Sequence, residues 1–198
     1  MKKILCFGDS NTWGYVPGGK HIRYSRRTRY PMVLQKLLGK DYKVYEEGQC
    51  ARTICHDDPT RIVNVNGEKV FLPTLQSYLP LDYVVIYLGS NDIKDFFDFT
   101  SKDAAKAIED KYIAKIREID KNIKIIIVCP KEIKSSTFYG FDNAYIKSKD
   151  FLKDYEDMAK RNNCLFVSNE GIKTGSDGLH LTQLDHQLIA TRLFELIK

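Results

Sequence analysis

The chain has 198 residues, 43% of them hydrophobic and 29% charged, which fits one globular domain over residues 1–198 and excludes a disordered or collagen-like chain. No apolar stretch approaches the roughly 18 residues of a membrane span, and the run behind Lys2 and Lys3 ends at Gly8-Asp9, short for a signal-peptide core. Net charge is a mild +5, and the five cysteines are odd in number with no Cys-x-x-Cys pair, so a reducing cytoplasm is the expected setting.

Residues 3–7 are a compact apolar run and the first expected strand. Directly behind them stands Gly8-Asp9-Ser10-Asn11. A serine at a strand end matters because an α/β sheet binds its ligands at that edge, although Gly-Asp-Ser alone is also an ordinary turn. Trp13 and Tyr15 follow as candidates to wall a substrate pocket or to pack the first loop, with Trp13 the expected substrate contact. The next segment is dense in basic residues: Lys20, His21, Arg23, Arg26, Arg27 and Arg29, interleaved with Tyr24 and Tyr30. Such a pattern can meet phosphates and bases, but no nucleic-acid motif accompanies it. A solvated loop is expected and nucleic acid is not.

Pro31 suits a first helical turn, with Leu34, Leu37 and Leu38 on one face and Gly39 as the stop. A strand over 43–46 leads into Gly48-Gln49-Cys50-Ala51-Arg52. His56 beside Asp57 and Asp58 is a weak metal-ligand signal; Asp57-Asp58-Pro59 reads more simply as a turn, and no metal is expected. The strand over 83–88 runs into Gly89-Ser90-Asn91-Asp92, with Asp9 and Asp92 as acceptors that organise their loops. Ala104, Ala105, Ile108, Tyr112, Ile116 and Ile119 mark a helix over 101–119, followed by a strand over 123–129. The polar and aromatic stretch 131–147 is expected to border the substrate pocket. A weaker helix over 148–162 and a strand over 165–167 precede Asp177-Gly178-Leu179-His180. A strong helix over 182–197 closes the chain, with Leu184, Leu188, Leu193 and Leu196 as its stripe and Thr182 as its N-cap.

Five strands alternating with helices predict an α/β fold, a three-layer α/β/α sandwich around a five-stranded parallel sheet. The expected strand order is 2-1-3-4-5, the flavodoxin-like one, with its switch point between strands 1 and 3. That order brings Ser10, the 48–52 loop, the 89–92 loop and the 177–180 loop to one edge. A serine there needs a base, which His180 can supply, and Asp177 can orient the imidazole. His21 and His186 fit less well and default to solvated or structural roles. An oxyanion needs donors: the Asn91 amide, the N–H of Ser10, and the N–H of Ala51 or, less favoured, of Gly48.

At this point the residues resemble the SGNH hydrolases, the GDSL esterase superfamily. Gly8-Asp9-Ser10 matches the nucleophile block, Gly89-Ser90-Asn91-Asp92 the block with the oxyanion asparagine, and Asp177-Gly178-Leu179-His180 the acid–base block. Stretches 4–14, 46–53, 57–59 and 79–92 look like the bacterial aryl esterase/acyltransferase branch. The resemblance implies a cofactor-free esterase for short-chain or aryl esters that works through an acyl-enzyme. In that reading Ser10 is the nucleophile, His180 the base and Asp177 its orienter, with Ser10, Ala51 and Asn91 at the oxyanion hole. It also implies a small-molecule ester as partner and raises the expectation of a homo-oligomer, while the lack of a long apolar stretch argues for no membrane partner. Two positions depart from the family pattern. Asn11 replaces the usual leucine, a change expected to leave the nucleophile unaffected. Ala51 stands where many members have glycine, and its N–H serves equally if φ stays negative. The rival readings are a carbohydrate O-acetyl esterase with the same triad and a non-catalytic flavodoxin-like binding domain. A Walker A loop and a Gly-x-Ser-x-Gly elbow are both missing.

Overall fold

The computed structural model describes residues Met1–Lys198. Five parallel strands, β1 (Lys2–Gly8), β2 (Tyr42–Gly48), β3 (Tyr83–Tyr87), β4 (Lys124–Val128) and β5 (Leu165–Val167), form one sheet in the order β2-β1-β3-β4-β5. The expected topology is therefore the observed one. Register pairs Ile4 with Val44 on one side of β1 and Cys6 with Val85 on the other.

The continuous apolar runs of β1, β3 and β4 follow from burial on both faces, whereas the edge strand β2 keeps Lys43, Glu46 and Glu47. Leu5, Phe7, Val84, Ile86, Ile125 and Ile127 point into one core, and Ile4, Cys6, Val85, Ile126 and Val128 into the other. The side-chain period of two thus divides each strand between two helical layers. Helices α1 (Ser10–Trp13), α2 (Tyr30–Leu38), α3 (Gly67–Tyr78), α4 (Ser101–Ile108), α5 (Ala114–Ile119), α6 (Ala144–Ser148), α7 (Phe151–Arg161) and α8 (Gln183–Ile197) complete the chain. Residues from α3, α4, α5 and α7 fill the first core, and residues from α2 and α8 the second. No helix is long and apolar enough to cross a membrane.

Four details differ from the sequence expectation. Helix α3 is an additional element, and it contains Pro73. A proline inside a helix removes one N–H donor, yet Phe71 and Leu75 pack into the core and Asn66 Oδ1 accepts the Glu68 N–H at 3.1 Å. The 101–119 segment is split by a π-turn, Glu109–Ile113, where the Tyr112 hydroxyl reaches across to the Ile54 carbonyl at 2.6 Å. In α8, Thr182 does cap the helix in a reciprocal box with Asp185, but the stripe is turned. Leu184 is 82% exposed, whereas His186, Ile189, Ala190, Leu193 and Ile197 face the core. In α2, similarly, Tyr30, Val33, Leu34 and Leu38 are buried and Leu37 is exposed.

Candidate active site

Strand β1 delivers the chain to Asp9, whose side chain accepts the Asn11 N–H at 2.8 Å and caps the single turn α1. That immediate strand-to-helix change holds Ser10 at the carboxyl edge of the sheet. His180 Nε2 lies 2.8 Å from Ser10 Oγ, and His180 Nδ1 lies 2.9 Å from Asp177 Oδ2. A carboxylate opposite Nδ1 places the ring proton there and leaves Nε2 to accept from the serine hydroxyl. Asp177 also accepts the N–H groups of Leu179 (3.0 Å), His180 (2.9 Å) and Gly18 (3.1 Å). Burial alone raises the Asp177 carboxyl; the hydrogen bonds from the His180 ring and backbone and from Leu179 outweigh it and hold the group well below the usual carboxylate range. It therefore stays an anion facing the imidazole.

The Asp-to-His turn depends on its glycine. Gly178 has φ +72°, and a Cβ there would lie 1.8 Å from the Ser135 carbonyl oxygen. The imidazole is fixed from outside as well. Tyr15 stacks on it with ring centroids 4.2 Å apart and 24° between planes, and Phe138 meets it edge-on at 5.3 Å.

Beside these groups opens a cavity of about 370 Å³, lined among others by Ser10, Ala51, Asn91, His180, Phe138 and Phe141. Its size suits a small ligand. Segment 131–147 does border it, through Phe138, Tyr139 and Phe141. A larger hollow of about 550 Å³ between residues 131–137 and 172–178 has Ile172 as its one hydrophobic lining residue and touches neither Ser10 nor His180. The N–H groups of Ser10 and Ala51 donate to no protein acceptor. Asn91 Nδ2 donates one proton to the Arg52 carbonyl at 3.1 Å, which orients the amide and leaves its second N–H. The condition set for Ala51 is not met: its φ is +64°, the left-handed region that favours glycine. Gly48 does not line the cavity. The backbone of Thr12 and Trp13 presses to within 2.1 Å of where its Cβ would be, so its lack of a side chain serves packing under α1.

A family model described as GDSL-like lipase/acylhydrolase matches residues 6–188. The chain belongs to this family. Solved structures agree along its whole length. A carbohydrate acetylesterase family member from Sinorhizobium meliloti is 32% identical with a TM-score of 0.91, covering 100% of this chain and 97% of its own. The native aryl esterase of M. smegmatis is 30% identical with a TM-score of 0.88, covering 100% and 98%. The lipase/acylhydrolase of Enterococcus faecalis, at 21% identity and TM-score 0.66, shares the fold. No curated protein matches the chain. The protein is a carboxylic ester hydrolase of the SGNH superfamily.

In this GDSL-family acylhydrolase several residues around the cavity act differently from the sequence reading. Trp13 is not among the lining residues: the Arg23 guanidinium lies over its ring at 5.2 Å, and the aromatic that reaches the imidazole is Tyr15. The basic segment is not wholly solvated, because Arg29 is buried in a two-pronged pair with Glu46 at 2.8 and 3.0 Å, and Arg23 joins the same carboxylate. Asn11 is more than a neutral substitution. Its Oδ1 accepts the Leu181 N–H at 3.0 Å, tying α1 to the strand-5 loop that carries His180. Sequence could not show this tie, since 170 positions separate the partners. His56 bonds Asp92 at 3.0 Å, not its sequence neighbours, and Cys55, His56 and Asp92 bring their potential ligand atoms within 4.8 Å. Asp92 accepts from the Ile54 N–H as well, so it organises the distant 53–56 turn. Asp58 instead forms a buried ion pair with Lys94.

Proposed function

We propose that this esterase cleaves small acyl esters through an acyl-enzyme on Ser10. The observation that carries the reading is the unbroken line of hydrogen bonds from Ser10 Oγ through the His180 ring to Asp177. Ser10 Oγ attacks the ester carbonyl while His180 Nε2 takes its proton, and Asp177 stabilises the imidazolium that forms. The developing oxyanion meets the free N–H groups of Ser10 and Ala51 and the second proton of the Asn91 amide. His180 then returns the proton to the leaving alcohol. Water then attacks the acyl carbonyl as the same imidazole takes its proton, the bond to Ser10 Oγ breaks, and the imidazolium returns the proton to Ser10; an alcohol in place of water completes acyl transfer.

Ser10→Ala is expected to lower kcat on 4-nitrophenyl acetate by about 10⁴–10⁶. Turnover near that of the unmodified protein removes Ser10 from the role. A second reading, a carbohydrate O-acetyl esterase, draws on the similarity to the Sinorhizobium meliloti protein. Acetate release from acetylated oligosaccharides, compared at equal concentration with release from aryl acetates, separates the two.

A further inference from the structure

We infer that the cavity selects esters carrying a negatively charged group, such as a carboxylate, a few bonds from the scissile carbonyl, and that Arg61 is the residue that reads it; this rests on the esterase reading of the same cavity. The lining includes Arg61, Lys94, His21 and His180 and not a single carboxylate. Two of these are already matched, His180 by Asp177 and Lys94 by Asp58. Arg61 is not. The ion-paired arginines of the molecule are Arg23, Arg29 and Arg161, and no side chain or carbonyl accepts from the Arg61 guanidinium. A permanently charged fork is thus left over at the wall of a pocket without acids.

The turn that presents Arg61 is built with unusual care. The Asp58 side chain accepts the Thr60 N–H at 2.8 Å and the Thr60 hydroxyl at 2.6 Å, and the Asp58 carbonyl accepts the Arg61 N–H at 3.1 Å. The other Asp58 oxygen meets Lys94 Nζ at 2.5 Å, with both side chains at most 5% exposed. Burying such a pair gains little stability over an apolar contact of the same shape. What it does here is pin the 58–61 turn to the segment that carries Asn91, three residues before Lys94. The backbone of Arg61 is held in place while its guanidinium stays exposed and able to close on a ligand.

The test pairs esters that differ in one charge: 4-nitrophenyl hydrogen glutarate with 4-nitrophenyl valerate, for a charge on the acyl side, and acetylsalicylate with phenyl acetate, for one on the alcohol side. In at least one pair kcat/KM is expected to favour the anion by about five- to tenfold at low ionic strength, the modest size reflecting an exposed partner, and to lose that preference in high salt. The ratio should approach one in Arg61→Gln, invert in Arg61→Glu and persist in Arg61→Lys. Ratios near or below one in both pairs overturn the inference, as does an Arg61→Gln ratio equal to that of the unmodified chain. Calorimetric binding of the glutarate and valerate esters to Ser10→Ala reads the same preference without turnover. If no ester is cleaved, the esterase reading fails, while tighter binding of the anion still upholds the role of Arg61 and equal binding overturns it.

Discussion

At the scale of single residues, hydrogen bonds set the charge of Asp177, whereas burial sets that of two groups outside the triad. Asp9 is fully buried beneath Ser10 with Oδ2 unpartnered, and desolvation, resisted by the Asn11 N–H and reinforced by Asp92, pushes its carboxyl up to about 7. His186 is the mirror case: burial brings its imidazole down to about 4, Nδ1 accepts the Tyr30 N–H at 3.3 Å, and Nε2 has no partner. The linkage signs are opposite. An acid whose folded value is raised binds more protons folded than unfolded, so Asp9 loses stability as pH rises from about 4 through about 7. A depressed histidine loses stability as pH falls from about 6.5 through about 4. Across the same window the two trends offset each other. Asp9→Asn keeps an oxygen for the Asn11 N–H and removes one trend. Its stability relative to the unmodified chain should climb by about 2–4 kcal/mol between pH 4 and 7.5, measured by urea unfolding at a series of pH values. A constant difference across that range would show that Asp9 does not titrate there. Ala51 is the other residue whose state sequence left open: with φ at +64°, it holds a conformation that costs an L-residue about 1 kcal/mol.

At the scale of elements, what places the imidazole is a strut between α1 and the loop before α8. Asn11 Oδ1 holds the Leu181 N–H at 3.0 Å, directly after His180, and its Nδ2 faces the Leu179 carbonyl at 3.5 Å. Replacing it by the leucine expected from the family pattern leaves a buried N–H unpaired, at about 1–3 kcal/mol. Asn11→Leu should lower both thermal stability and kcat, the latter by about tenfold, with KM changing much less because Asn11 does not line the cavity. An unchanged kcat beside a lowered melting temperature would restrict Asn11 to stability. The caps were easier to anticipate than the faces. Thr182 lies beside its partner Asp185 in sequence, whereas the burial of His186 in place of Leu184 depends on α2 packing across α8.

At the scale of the whole molecule, the catalytic edge rests on two cores that share one sheet. Phe7, next to Gly8 and Ser10, meets Phe71 of α3 at 5.0 Å, and Phe71 meets Tyr112 at 4.6 Å. Phe71→Ala should therefore cost about 3–5 kcal/mol and lower Tm by roughly 10 °C or more. Because the defect lies beneath the strand and not in the cavity, kcat per folded molecule should fall far less than in Ser10→Ala. A loss as large as that of Ser10→Ala, in protein still folded by circular dichroism, would mean that the aromatic cluster sets the position of Ser10.

Much of this architecture was readable along the chain. The central strands were legible because burial on both faces makes them nearly unbroken apolar runs, and the alternation of strands with helices leaves few ways to wind a parallel sheet. The order 2-1-3-4-5 in turn gathers Ser10, Asn91, Asp177 and His180 at one edge. Helix α3 escaped because Pro73 argues locally against a helix that the Asn66 cap and the packing of Phe71 and Leu75 into the core hold together. Tyr15 against His180, Asn11 against Leu181, and Asp58 against Lys94 depend on chain segments far apart in sequence, and so does the free guanidinium of Arg61. Periodicity, caps and turns are properties of neighbouring residues and are written in their order. Partners, burial and the fate of each charge depend on which distant surfaces meet, and these only the folded chain decides.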